Sequence, residues 1–256
     1  MDFDKIKQYW EERASSDSSA QSTTKDYYLR EIEFQVLKDL IDRYRPTSVL
    51  DVGCGDARTT ARLAVEFKKI EFVGCDYSES MVRNALANID RVKIDNLKVV
   101  VCDISRPLQF SQLEIIYSTR CLINFPTWEL QQTAIQNIAD ALVVGGLYVM
   151  IENFYEGHKN FNRIRSDFGL PEIAVREHNL FLNRPVLIDF ISNYFKVLEE
   201  VNISSTYYLV SRVIYSKICQ ENGTDPDYFD MHHKYAAQLP FCGEFGPVRM
   251  ICLMRK

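Results

Sequence analysis

Apolar residues along this chain of 256 residues follow two alternating rhythms. Between about 48 and 151, short apolar runs of strand length give way to stretches in which apolar residues return every three or four positions. The runs at 48–52, 71–75, 97–101, 113–117 and 146–151 predict strands, and the stretches at 59–67, 78–88 and 128–142 predict helices. Gly145 and Gly146 supply the turn before the fifth strand. Alternation of this kind builds a parallel sheet with right-handed crossovers and helices packed on it. Further strands are expected at 195–203 and 248–255.

Ahead of this core, Phe3–Arg13 carries Ile6, Tyr9 and Trp10 on one side of a predicted helix. A second helix over 26–43 has the stripe Leu29, Ile32, Val36, Leu37, Leu40 and Ile41, and Pro46 ends it. Ser15–Thr24 between them is polar and serine-rich, which predicts a mobile loop. The stretch at about 204–246 reads as an insertion before the last strand, with a helix from Tyr207 to Cys219 and a turn at 221–227. Its tyrosines suit either the wall of a ligand pocket or a dimer interface. The expected division is an N-terminal helical cap over 1–45 and an α/β domain over 46–256.

The first strand runs into Asp51-Val52-Gly53-Cys54-Gly55-Asp56-Ala57, a glycine turn with an acid at its bend. Glycine lets the backbone turn sharply and approach a ligand closely. The second strand ends at Asp76 and the third at Asp103. All these acids fall at carboxyl ends of strands, the edge where open α/β sheets bind ligands. Asp76 lies about twenty residues past the turn, where a carboxylate can take both hydroxyls of a ribose. A single such Asp is usually a turn former, but three in register after a glycine turn point to a site.

In Val49–Ala57, Phe72–Met81 and Val99–Ile104 the chain resembles the class I S-adenosylmethionine-dependent methyltransferases. The resemblance implies a Rossmann-like, doubly wound, mostly parallel seven-stranded sheet with an antiparallel last strand. It implies S-adenosylmethionine as cofactor and S-adenosylhomocysteine as product. Gly53 and Gly55 would hold the methionine part, Asp51 would lie near its ammonium, Asp76 would take the ribose, and Asp103 would sit near the adenine amino group. Met81 would lie against the adenine, and Tyr77, Cys102, Ile104 and Ser118 complete the implied cofactor set. An N-terminal segment in such enzymes packs over the cofactor as a lid; here it either does so or simply caps the sheet. The third glycine of the usual turn is Ala57, which is restrictive if φ must be positive there. A nicotinamide enzyme would want glycine where Arg58 stands, and Asp51 and Asp56 would repel a pyrophosphate while suiting a sulfonium and an ammonium.

The acceptor half of the site is expected beyond the fourth and fifth strands. Arg120 and Asn124 follow the fourth, with Arg120 either gripping an anionic acceptor or paired with Glu114, Glu152 or Asp103. The polar and aromatic residues after the fifth strand, including Tyr155, His158 and Arg163, and the segment holding His178 and Asn179 read as substrate loops. His178 is the preferred general base and Glu152 the second candidate. Asp230, His232 and His233 evoke metal ligands, but adjacent helical histidines point about 100° apart, so no metal site is expected.

Composition narrows the partners. A formal charge of −5 offers no field for nucleic acid, no apolar run reaches membrane-span length, and seven scattered cysteines suggest reduced thiols of a cytoplasmic protein. The expectation is a monomer or homodimer that methylates a small polar acceptor, such as the hydroxyl of a sugar, nucleotide-sugar or phosphorylated metabolite. Chains of this general kind occur among bacterial glycan-modification enzymes. Methylation of an amine or protein side chain, and a non-catalytic cofactor-binding role, are the alternatives.

Overall fold

A computed structural model describes residues 2–16 and 24–256. Seven strands form one sheet: β1 (Ser48–Val52), β2 (Glu71–Asp76), β3 (Leu97–Val101), β4 (Leu113–Thr119), β5 (Leu142–Asn153), β6 (Phe195–Val201) and β7 (Val248–Arg255). Their order is β3-β2-β1-β4-β5-β7-β6. The strands from β3 across to β5 pair in parallel, and β7 runs antiparallel between β5 and β6. This is the Rossmann-like arrangement the sequence implies.

Alternate residues on the strands face two separate apolar layers. Val49, Tyr117, Val149 and Ile151 meet α2 (Tyr27–Tyr44), α3 (Arg58–Glu66) and α4 (Glu79–Val92). Leu50, Val52, Ile116, Tyr148 and Met150 meet α5 (Trp128–Ala141) and α7 (Arg184–Ile191). Helix starts are capped by side chains: Asp26 accepts the Leu29 amide, Ser78 that of Met81, Thr127 that of Leu130 and Asn183 that of Val186.

α2 belongs to the core layer itself, with Leu29, Ile32, Leu37, Leu40 and Ile41 buried. α1 (Phe3–Ser16) instead crosses the carboxyl edge of the sheet. The Phe3 ring stacks on Phe125, Glu11 accepts the Ser80 amide at 3.2 Å, and Asn84 donates to the Ala14 carbonyl at 2.9 Å. The serine-rich loop expected at 15–24 lies largely outside the described residues, and Ser15 and Ser16 finish α1.

Three stretches differ from expectation. β5 begins at Leu142, directly after α5, so Gly145 and Gly146 lie inside the strand, where its pairing with β4 shifts register, and not in a turn before it. The polar segment after β5 is a helix, α6 (Tyr155–Asp167), before an irregular connection to α7. Its apolar face is narrow, with Phe161 buried and Ile164 packed nearby, so the polar majority reads as a loop. The expected helix at 207–219 is longer and changes pitch: α8 (Ser205–Tyr208), a π-helical segment Leu209–Ile214, then α9 (Tyr215–Asn222). α10 (Met231–Ala236) completes the insertion.

Candidate functional site

A cavity of about 680 Å³ opens along the carboxyl ends of β1, β2, β4 and β5. Gly53, at φ +72°, lies under the Cys121 side chain, where a Cβ would come within 2.3 Å of sulfur. Gly55 has φ +56° and Ala57 has φ +53°, so all three turn positions are left-handed. Alanine tolerates that region poorly, and strain of this kind gathers at ligand sites.

Asp51 is buried beneath the turn, and its Oδ2 accepts from the hydroxyls of Thr60 and Tyr117. Burial pushes its carboxyl up to about 7, against the pull of those two hydroxyls. Asp76 braces the turn: its Oδ2 accepts the Gly55 amide and its Oδ1 the Ser78 amide, each at 2.9 Å. Burial likewise raises Asp76, to about 6. A carboxylate has about four acceptor positions, so both acids keep capacity for a ligand. Tyr77, Met81, Cys102 and Ile104 continue the wall. The Tyr77 hydroxyl is buried with no hydrogen-bond partner among the described residues. A buried, acid-lined cradle with an unsatisfied phenol fits a cationic nucleoside cofactor bearing an amino-substituted base.

Asp103 stands apart from that wall. Its Oδ1 takes the amide and hydroxyl of Ser105, and its Oδ2 lies 3.7 Å from the Lys7 ammonium. Ser118 is also outside the cavity, buried between Tyr148 and Glu152. β4 alternates faces there, and Thr119 rather than Ser118 reaches the cavity.

Beyond β4, His178 lines the cavity with its imidazole stacked on Tyr9, ring centres 4.5 Å apart, and edge-on to Trp10. Burial, with help from the Arg176 charge, lowers its affinity for a proton. The Trp10 indole donates to Asn124 Oδ1 at 3.1 Å, while Asn124 Nδ2 donates to the Arg120 carbonyl at 2.9 Å. The first helix therefore covers the cavity and fixes the side chain the sequence marks as a base. His158 and Asn179 line the cavity too, with His158 against Asn162 and the Phe181 ring.

Arg120 lines the cavity at φ +52°, but its partner is none of the three acids the sequence suggests. Nη2 donates to Glu33 of α2 at 2.9 Å, and Nε lies 2.8 Å from the other carboxylate oxygen. Burial keeps the Glu33 carboxyl above its usual range even with the Arg120 guanidinium beside it.

Glu152 does not line the cavity. It is fully buried on the opposite face of β5, and its Oε1 accepts from Ser118 and from the Cys121 and Leu122 amides. Those amides begin the 3₁₀ turn Leu122–Asn124, so the carboxylate caps that turn. Burial pushes Glu152 up to about 7 despite the three donors. Tyr155 and Arg163 project from α6 into solvent. The structure thus leaves Glu152, Tyr155 and Arg163 off the cavity wall and brings Arg120, Asn124, His158, His178 and Asn179 onto it.

The sequence reading misses several wall residues. Arg30 and Glu33 enter from α2, Arg212 from the π-helical segment, and Thr119 and Asn153 from the strand ends. Arg212 pairs with Asp26, which also takes the Tyr207 hydroxyl. Glu33 carried a signal: an acid inside the apolar run Ile32-Glu33-Phe34 must find a buried partner. His232 stacks on Tyr215 while His233 contacts Tyr207, and no described cluster of three His, Cys, Asp or Glu side chains can hold a metal ion.

Residues 49–146 match the family described as a methyltransferase domain. The chain carries a class I S-adenosylmethionine-dependent methyltransferase domain. Two curated relatives, carboxy-S-adenosyl-L-methionine synthases, are distant. The one from Shewanella pealeana is 27% identical over 140 residues, covering 52% of this chain and 56% of the relative. The one from Shewanella piezotolerans is 28% identical over 121 residues, 46% of this chain and 49% of the relative. The chain thus spans about half the length of these relatives. Among solved structures, the N-methyltransferase NodS from Bradyrhizobium japonicum, in complex with S-adenosylhomocysteine, has TM-score 0.60 at 14% identity, covering 98% of both chains. The PH0226 protein from Pyrococcus horikoshii also has TM-score 0.60 at 14% identity, covering 94% of both. At such identity these likenesses are likenesses of fold. Among the described residues no helix is long and apolar enough to cross a membrane.

Proposed function

We propose that this methyltransferase moves a methyl group from S-adenosylmethionine to a hydroxyl of a small polar acceptor, with sugars, nucleotide-sugars and phosphorylated metabolites of glycan-type pathways as the class to search. The observation that carries the reading is one continuous cavity running from the acid-lined glycine turn to an aromatic chamber at the ends of β4 and β5. The cofactor supplies an electrophilic methyl group when bound. Asp51, Asp76, Gly53, Gly55, Tyr77, Met81, Cys102 and Ile104 would hold it. Arg30, beside Asp56 and the turn, adds a cation suited to the methionine carboxylate.

The remaining work is alignment of the acceptor and removal of its proton. Holding two reactants in line accounts for much of such a reaction's acceleration. His178 is neutral near pH 7 because burial disfavours its charged form, so it is ready to accept a proton. His158, also held down by burial, is the neighbouring alternative.

Calorimetry with S-adenosylmethionine, S-adenosylhomocysteine and NAD tests the cofactor assignment. Binding of the two sulfur compounds and not NAD supports it; no binding of either removes the basis for every role above. His178→Ala should lower turnover and leave cofactor affinity intact. Unchanged turnover takes the base assignment away.

A second reading draws on the curated relatives. Their printed name describes enzymes whose product is a modified S-adenosylmethionine, and here Arg30, Arg120 and Arg212 share a cavity with the cofactor-side acids. Mass spectrometry of the nucleoside released in turnover separates the readings: S-adenosylhomocysteine favours methyl transfer, a carboxylated nucleoside the alternative.

A further inference from the structure

Asn153 ends β5 on the carboxyl edge of the sheet and lines the cavity. It is only 9% exposed, yet its carboxamide makes no hydrogen bond to any described residue, and its Oδ1 is wholly buried. Leaving a buried polar group unsatisfied costs roughly 1–3 kcal/mol, and a site for a ligand is one reason to keep one.

One further polar group shares this feature, and a third lines the same cavity. Thr119 ends β4, and its register partner on β5 is Ile151, so Thr119, Ile151 and Asn153 lie on one face of the sheet. The Thr119 hydroxyl is buried and unpartnered among the described residues. Tyr208, from α8, lines the same cavity, and its phenol has no described hydrogen-bond partner. Burial pushes that phenol up to about 12, so it stays neutral.

Two of the cavity's arginines are already answered by carboxylates inside the protein. Arg120 pairs with Glu33 and Arg212 with Asp26. An acceptor anion beside these two would meet guanidinium groups whose carboxylates are in place. A carboxamide offers a donor and an acceptor side by side, whichever way it is turned. A hydroxyl matches that pair. Phe161 and Phe181 line the same chamber and give ring faces something flat to pack on.

We propose that Asn153, with Thr119 and Tyr208, forms the acceptor subsite and that the acceptor is an uncharged ring carrying free hydroxyl groups. This rests on the reading of the chain as a methyltransferase for a small hydroxylated acceptor, and it narrows that class by setting aside phosphorylated members.

The test is a methyl-transfer assay that follows S-adenosylhomocysteine formation. One arm uses free monosaccharides and their methyl glycosides, a second uses simple phenols, and a third uses the matching sugar phosphates. Wild type, Asn153→Leu and Asn153→Ser are compared, with S-adenosylhomocysteine affinity as the control for folding. One of the two neutral arms should be turned over, which also identifies the kind of ring, and the sugar phosphates should be at least about tenfold poorer. Asn153→Leu should raise the acceptor KM about tenfold, as expected for one lost hydrogen bond, with cofactor affinity unchanged. Asn153→Ser should fall between, and it carries the test if the leucine variant does not fold.

Preference for the sugar phosphates overturns the proposal, as does turnover of no neutral compound by protein that binds S-adenosylhomocysteine. An unchanged KM in both variants overturns the role of Asn153, and so does loss of cofactor binding in the serine variant. Failure of the wild-type protein to bind S-adenosylhomocysteine overturns the methyltransferase reading itself.

Discussion

The ring of Tyr9 lies over the imidazole of His178, centroids 4.5 Å apart and planes 25° from parallel. One residue comes from the first helix and the other from the connection between α6 and α7, so the contact closes the cavity from two sides. An aromatic pair of this kind is worth about 0.5–1.5 kcal/mol beyond its buried area. Tyr9→Ala should therefore loosen His178 and lower kcat/KM for the acceptor by about three- to tenfold, with a smaller effect on S-adenosylhomocysteine affinity. Steady-state kinetics and calorimetry on one preparation check this. An unchanged kcat/KM would mean that α1 covers the site without positioning the histidine.

Asp51 sets a pH dependence whose sign is fixed. Burial raises its carboxyl from the usual 3.8 to about 7. A carboxyl raised on folding stabilises the protein fully below its unfolded value, and that contribution is lost as pH rises through the folded value. The apoprotein should lose stability between about pH 4 and about pH 7. A cofactor ammonium favours the charged carboxylate, so binding should release a proton and strengthen as pH rises through about 7. Asp51→Asn should flatten the stability profile and raise Tm at about pH 8, while weakening cofactor binding at least about tenfold. Thermal melts and titrations across this range decide the matter; a variant that binds like wild type would remove Asp51 from the ammonium site.

Ala57 stands at φ +53° where glycine costs nothing in strain. Relief of a left-handed alanine should outweigh the loss of one small methyl group. Ala57→Gly is expected to stabilise the protein by about 1 kcal/mol. Urea unfolding measures it, and destabilisation would show that the buried methyl group matters more than the backbone.

The pair Arg120–Glu33 predicts a larger penalty. Glu33→Gln leaves a guanidinium without its counter-charge in a largely buried place. Breaking such pairs costs about 3–5 kcal/mol, and the partial exposure of the arginine should bring this to about 2–3 kcal/mol. The double variant Glu33→Gln with Arg120→Gln should recover part of the loss. A double loss equal to the sum of the losses in Glu33→Gln alone and Arg120→Gln alone would mean that the two side chains are not coupled.

What the sequence revealed and what it hid divide along physical lines. β1, β3 and β7 match their expected bounds, because an apolar run between turn residues has few other homes. Asp51, Gly53, Gly55 and Asp76 were legible because each sits at a strand end, where chain order fixes place. The cavity wall beyond β4 is built by pairings such as Glu33 with Arg120 and Tyr9 with His178, and no local pattern encodes those. A charged residue on a helix reads as solvated until its partner is known. Asn153 was hidden for another reason: it directly follows Glu152, a charged residue on the opposite face of the same strand end. Successive strand residues point to opposite sides, so one position separates the buried cap from the cavity wall.

That same alternation yields a test for Glu152. If the carboxylate removed a proton from the acceptor, Glu152→Gln would lower turnover about 10²- to 10⁴-fold. Its bonds to Ser118 and to the Cys121 and Leu122 amides point to a different outcome, because glutamine keeps an oxygen that can accept from two of these three donors. Glu152→Gln should retain turnover within about threefold, and it should remove the part of the stability profile that falls as pH rises through about 7. Glu152→Ala, which leaves those donors empty, should cost about 1–3 kcal/mol in urea unfolding. The glutamine variant decides between the roles: a large loss of turnover in protein that still binds S-adenosylhomocysteine would make Glu152 chemical after all, and would require the 3₁₀ turn to open toward the cavity during the reaction.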